Sequence, residues 1–201
     1  MYNYPIKVKR LINEISKLPG IGNKMAERIA LYILRQDKLF IDNLSRAIDD
    51  IKLINFCQRC FNISEDKLCE ICKDDNRDPS IICVVESPLD IISIEKTGKF
   101  TGTYHILNGL INPLNNILPD NLKIQELIKR IKDEKNIKEI ILAINHTVEG
   151  DTTTLYIISA IKENLLNVKI TRLAKGLPTG SDIKYADEIT LGQAIMERKE
   201  V

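Results

Sequence analysis

Two Cys-x-x-Cys pairs, Cys57 with Cys60 and Cys69 with Cys72, stand eight residues apart in the run FCQRCFNISEDKLCEIC. Each pair sets two thiols on one tight knuckle, and two knuckles this close can complete a tetrahedral four-sulfur site for one zinc ion per chain. A site closed by four cysteines has no open coordination position, so its role is structural. Arg59, Lys67 and Lys73 lie close enough in sequence to balance its negative charge. The competing reading is a set of free or disulfide-forming thiols, which suits an oxidising compartment. The N-terminal MYNYPIKVKR lacks the continuous apolar stretch of a secretory leader, which points to the reducing cytoplasm and to thiols reserved for metal.

The 201 residues suffice for one large domain or two small ones, and a hydrophobic content of 44% supports a real core. No apolar run approaches the ~20 residues of a membrane span, so no membrane association is expected. The net charge of +1 is uninformative, but its distribution is not. Residues 1 to 38 carry eight Lys or Arg against three acidic residues, a local excess of five positive charges. Such an arm suits a polyanion; a solvated helix face would show the same composition.

Leu11, Ile12, Ile15 and Leu18 recur at helical spacing, and Pro19-Gly20 stops that helix. Met25, Ala26, Ile29, Ala30 and Ile33 mark a second helix. A third is expected after Asp42 or Asn43, with Leu44, Ala47, Ile48 and Ile51 facing inward. Beyond Cys72 the polar KDDNRDPS reads as a linker or exposed turn. Ile81 to Val85 is a continuous apolar run, the mark of a strand buried on both faces. Ser87-Pro88 then suits a helix start, and Tyr104 to Leu107 a second strand. After the long loop NGLINPLNNILPDN come a helix over Leu122 to Asp133, a strand over Glu139 to Ile144, a helix over Thr152 to Leu165 and a strand over Val168 to Leu173. Strands alternating with helices imply parallel crossovers and an open α/β sheet.

Three constellations could carry chemistry. The turn LPGIG, Leu18 to Gly22, lets the backbone bend sharply and expose amides at the start of a helix, where they can contact phosphate without reading a base. Lys24 and Arg28 follow at i and i+4 and share one helix face beside Gly20 and Gly22. This resembles a helix-hairpin-helix, which binds DNA without sequence preference, although Gly-x-Gly turns also join helices that touch no ligand. The second constellation is the cysteine knuckles; the fifth cysteine, Cys83, falls inside an apolar strand and reads as core. The third is acidic. Glu86 directly follows the first buried strand, where ligand sites of open parallel sheets collect, and Asn145-His146-Thr147-Val148-Glu149-Gly150-Asp151 follows a later one.

That acidic set resembles the Toprim fold of topoisomerases and primases, whose pattern is a glutamate after the first strand and an Asp-x-Asp after a later one. Glu86 fits the first element. Asn145 and Thr147 occupy the Asp-x-Asp positions, with Glu149 and Asp151 a few residues on. Magnesium is a hard cation held by charged oxygens, and an amide with a hydroxyl cannot replace two carboxylates. His105 in YHIL reads as a satisfied sheet histidine and His146 as an exposed loop residue. The later glycines, Gly176 and Gly180, lack the Gly-Lys-Ser/Thr of a phosphate loop; their segment reads as a surface loop suited to a protein contact.

Read together, the stretches LPGIGNKMAERIA, RDPSIICVVES, GTYHILNG, TVEGDTTTLY and TRLAKGLPTGSDIKYADEITL, with the paired cysteines, resemble the bacterial RecR family of recombination mediators over nearly the whole chain. His146, where that family usually has proline, and Asp151-Thr152-Thr153 are its mild departures. The resemblance implies an α+β multidomain chain. Its parts would be a helix-hairpin-helix region over 1–54, a four-cysteine zinc finger over 55–78, a Toprim domain with a parallel sheet over 79–175 and a C-terminal loop and helix over 176–201. It further implies a non-enzymatic DNA-repair protein, a homotetrameric ring able to encircle DNA, acting with RecO and RecF to load RecA on single-stranded gaps. Carried over by motif, Cys57, Cys60, Cys69 and Cys72 hold zinc, and Lys24, Arg28, Gly20 and Gly22 contact DNA. The acidic Toprim face, with Glu86, Glu149 and Asp151, docks RecO. The rival is a metal-dependent Toprim nuclease or primase-like enzyme, which would need the carboxylates that Asn145 and Thr147 replace.

Overall fold

The computed structural model describes residues 4–198. The chain divides into two compact units, Met1–Ile54 and Asn55–Val201.

The first unit is helical: α1 (Ile6–Ile15), α2 (Asn23–Leu34) and α3 (Lys38–Asp50), closed by a short 3-10 turn. Its core is Ile15, Ala26 and Ala30, with Ile12, Ile21, Ile29 and Ile33 half-buried around them. The two alanines, four apart on α2, let α1 and α2 approach closely. The third helix differs from its sequence expectation. Asp37, not Asp42 or Asn43, caps it, accepting a hydrogen bond from Phe40 N at 2.7 Å, and the helix runs straight through the later pair. All three residues are good caps; the earliest one wins because nothing in Leu39-Phe40-Ile41 opposes helix. Nor does α3 face inward: none of its residues is buried, and Ile48 stands 61% exposed.

The second unit opens with the knuckles. A two-residue antiparallel pair, β1 (Asn55–Phe56) and β2 (Ile63–Ser64), frames the first, and α4 (Glu70–Lys73) carries the second. Then follow β3 (Asp78–Val85), α5 (Pro88–Glu95), β4 (Gly102–Ile106), α6 (Ile124–Asp133), β5 (Glu139–Ala143), α7 (Val148–Glu163), β6 (Lys169–Arg172) and α8 (Glu188–Met196). The four main strands form one parallel sheet in the order β4-β3-β5-β6. Two stretches depart from expectation here. KDDNRDPS starts as the exposed turn of the two readings but is no linker, since β3 already begins at Asp78 and Arg77 grips Glu95 at 2.6 Å. The α7 helix starts at Val148, so Glu149 and Asp151 sit in its first turn, not in a loop.

The run IICVV serves both faces of the sheet. Ile82 and Val84 join Ile140, Leu142, Leu127, Ile157 and Ile161 in the larger core beneath α6 and α7. Cys83 and Val85 point the other way, with Tyr104, Ile106 and Ile91. That second core also contains Cys57, Cys60 and Cys69, so the knuckles and the sheet share one apolar interior. Every residue of β4 is buried although it is an edge strand. Its open side is covered by the first knuckle, whose Cys60 carbonyl accepts the Ile106 N–H at 2.9 Å, and by Arg77 and Arg130, which donate to the Gly102 and Tyr104 carbonyls.

Among the described residues, those beyond Arg172 contribute little to either core. Residues 173–187 contain a single 3-10 turn, and α8, capped by Asp187, has no buried residue. Tyr185, Ile189 and Met196 stand in the open. Among the described residues no helix is long and apolar enough to cross a membrane.

Candidate metal centre and nucleic-acid interface

The knuckles converge as their spacing predicts. The four Sγ atoms of Cys57, Cys60, Cys69 and Cys72 lie within 4.8 Å of one another, and Cys60 and Cys69 approach to 3.5 Å. A tetrahedron with metal–sulfur bonds of ~2.3 Å has sulfur–sulfur edges of about 3.8 Å, so the donors fit zinc. All four thiols are free. The backbone places them: Phe61, at φ 65°, turns the first knuckle so that its N–H reaches Cys57 O at 2.9 Å. In the second, Cys69 caps α4, and its carbonyl accepts from Cys72 N at 2.9 Å. A cation is what allows four thiolates to share this volume.

A polar network locks the knuckles to α6. Arg59 donates to both carboxylate oxygens of Glu134, each at 2.9 Å, and Arg130 donates to the same carboxylate at 3.2 Å. The nearly buried Arg130 also donates to Tyr104 O at 2.7 Å and Thr103 Oγ1 at 3.0 Å. Of the basic residues expected near the zinc, Arg59 is paired with Glu134 and Lys73 with Asp66 and Glu70. Sequence reading could not find Glu134 or Arg130, more than sixty residues away.

In the helical unit, Gly20 lies at φ 77°, a conformation glycine adopts freely, and Ile21 N closes the turn on Leu18 O at 3.1 Å. Gly22 is the cap of α2 and offers no side chain to its first-turn amides. Neither glycine has a neighbour within 4 Å of where a Cβ would stand, so a ligand can approach the backbone there. Lys24 and Arg28 are exposed, while Ala26 and Ala30 of the same helix are buried. Two positions on a helix turn through about 200°, so the cations face away from the core.

The carboxyl edge of the sheet does not gather a metal site. Glu86 follows β3, and burial, then the nearby Asp90, raises its carboxyl above the ordinary range. Asn145 Nδ2 stands 3.5 Å from Glu86 Oε2 and offers hydrogens, not lone pairs. The hydroxyl of Thr147 is committed to capping α7, accepting Gly150 N at 3.1 Å. Asp151 is ion-paired to Arg172 at 2.6 Å. Among the described residues, Glu86, Glu149 and Asp151 do not form a cluster that could hold a metal ion. This donor set does not fit the Toprim magnesium. His105 is buried as expected, bound through Nε2 to Lys123 O at 2.7 Å, and burial also pushes the Cys83 thiol up to about 12.

Comparison with known proteins finds related domains along the chain. Family models match for the RecR helix-hairpin-helix over residues 8–52, the RecR four-cysteine zinc finger domain over 54–74, the Toprim domain over 80–174 and the RecR C-terminal region over 176–199. The chain is 46% identical to the Recombination protein RecR of Acidothermus cellulolyticus, with 96% of each chain covered. It is 45% identical to that of Rubrobacter xylanophilus, covering both chains in full. With that of Chloroherpeton thalassium the identity is 44%, over 96% of this chain and 97% of the relative.

Proposed function

The chain belongs to the RecR family of recombination proteins, and from that membership we propose that it is a DNA-binding recombination mediator of DNA repair that breaks no bond itself. Lys24 and Arg28 contact phosphates, with the amides after Gly20 and Gly22 beside them. Zinc, held by the four cysteines, is structural. The acidic edge bearing Glu86, Glu149 and Asp151 docks RecO, and with RecF the protein loads RecA on single-stranded gaps in the cytoplasm. The chain assembles as a homotetrameric ring, a reading supported by the apolar side chains that α3 and residues 183–196 leave in solvent. A ring repeats a small basic patch on every subunit, so each chain needs few contacts.

The observation that carries the proposal is the exposed Lys24 and Arg28 pair beside an open glycine turn, on the helix face opposite Ala26 and Ala30. The test is fluorescence anisotropy with single-stranded oligonucleotides across a salt series. Lys24→Ala with Arg28→Ala is expected to weaken binding at least tenfold at low salt. The log–log salt slope should become shallower by about 0.7 for each single-strand phosphate contact removed. Unchanged affinity with intact oligomer size would reduce the helical unit to an assembly element. Magnesium-dependent nicking by the pure wild-type protein would overturn the non-catalytic half.

A further inference from the structure

The carboxyl edge of the sheet carries Asn145 and Thr147 where the Toprim pattern has aspartates, and an arginine stands beside Asn145. Asp151 lies in the first turn of α7, and Asn145 is the second residue beyond β5. Between them the chain folds so tightly that a Cβ on Gly150 would stand 2.0 Å from Asn145 O. Arg172 ends β6, in register with Leu142 of β5. From that position its Nη2 lies 2.6 Å from Asp151 Oδ1 and 3.4 Å from Asn145 O. One guanidinium therefore spans a carboxylate on the helix and a carbonyl on the strand exit, both oxygen donors of the kind a hard cation would select.

We infer that Arg172 acts as a built-in cation at the carboxyl edge of the sheet, fastening the start of α7 to the end of β5 and closing Asp151 to divalent metal. Arg172 is mostly buried and Asp151 about half exposed, so the guanidinium approaches from the protein side. Lys175 and His146 add to its effect on the Asp151 carboxylate, which Arg172 holds below its ordinary range. A metal ion at Asp151 would have to enter against Arg172 and Lys175. This role presupposes the non-catalytic reading of the Toprim region and explains how that region keeps its shape without magnesium.

The probe is Mn2+, titrated into the zinc-loaded full-length protein without DNA and followed by the electron paramagnetic resonance signal of the free ion. Wild type is expected to show no saturable binding in the millimolar range. Arg172→Gln should acquire a site at least about tenfold tighter than wild type, because removing a buried cation uncovers the carboxylate. Adding Asp151→Asn should abolish that gain. If Arg172→Gln does not fold, Arg172→Met, which keeps the aliphatic stem, carries the same expectation. Equal Mn2+ binding by wild type, no gain in the variant, or a gain that survives Asp151→Asn would each overturn the assignment. Nicking by wild type, by contrast, would sink the non-catalytic reading, and the Mn2+ titration answers independently of it.

Discussion

The helical unit and the sheet unit solve the same problem with very different means. Among the described residues, the first buries Ile15, Ala26 and Ala30 and little else, while the second builds two apolar cores on opposite faces of one sheet. In the first, Ile48, Leu53 and Leu34 remain in solvent; in the second, Leu127, Ile140 and Leu142 are wholly enclosed. Folding must offset the entropy of ordering each residue, and burial is the main term available for it. The sheet unit is equipped to stand on its own interior. The helical unit is equipped to be completed by something outside it, which suits a surface whose work is contact.

The largest effect that could break this contrast is removal of zinc. Cys57→Ser, or chelation, is expected to unfold the knuckles and loosen β4 beneath them, since structural zinc contributes on the order of 10 kcal/mol to folding. Metal analysis should find one zinc per chain in reduced wild type. Calorimetry should show the sheet unit melting earlier in the variant while the helical signal is unchanged. If both units fall together, they are not energetically separate.

Next in size is a matched pair of truncations. Leu142→Ala, in the larger core, should cost about 2–5 kcal/mol in urea denaturation. Ile48→Ala on α3 should cost no more than about 0.5 kcal/mol in the separated monomer. A core-sized loss for Ile48→Ala that appears only in concentrated protein would place the covering copy on α3.

The response to pH, which is spread over a range of conditions, should also single out the sheet unit. Burial depresses His105 to about 4 from its ordinary 6.5. A base with a depressed folded value binds its proton first in the unfolded chain, so stability falls as pH drops from about 6.5 towards 4, by up to ~3 kcal/mol. Glu95, held low by Arg77, and Glu134, held low by Arg59 against its own burial, act in a lower window. Their contributions are present above the ordinary carboxylate value of 4.5 and vanish as pH falls through their depressed values. Stability profiles of wild type and His105→Leu should differ in slope only in the upper window. Identical slopes there would mean that His105 does not titrate as a buried neutral group.

The strands were the most readable part of the chain. IICVV and IILAI are apolar without interruption, and only a strand covered on both faces uses such a run. The cysteine spacing likewise announced its own geometry, because two knuckles need no distant residue to converge. Helix starts were harder: Asp37, Asp42 and Asn43 can all cap, and so can Thr147 ahead of α7. The inward face assigned to α3 failed because helical periodicity says which residues share a side, not whether anything lies against it. Arg172, Glu134 and Arg130 were invisible for a different reason. Their partners are chosen by strand order and by the position of α6, and no local pattern encodes a contact between Arg59 and Glu134, 75 residues apart.

The hydrogen bond from Ile106 N to Cys60 O has a consequence for handling the protein. β4 is the outermost strand of its sheet, and the knuckle guards the Ile106 end of its open side while Arg77 and Arg130 hold the Gly102 and Tyr104 carbonyls. When the metal leaves, that guard loosens and the Ile106 amide is freed, with the Arg59–Glu134–Arg130 network that keeps Arg130 on the Tyr104 carbonyl loosened beside it, so the border opens to any other chain with a similar exposed strand. Preparations stripped of zinc should therefore associate through strand pairing and grow into insoluble polymer. For this fold, keeping the metal in place is also a way of keeping the molecules apart.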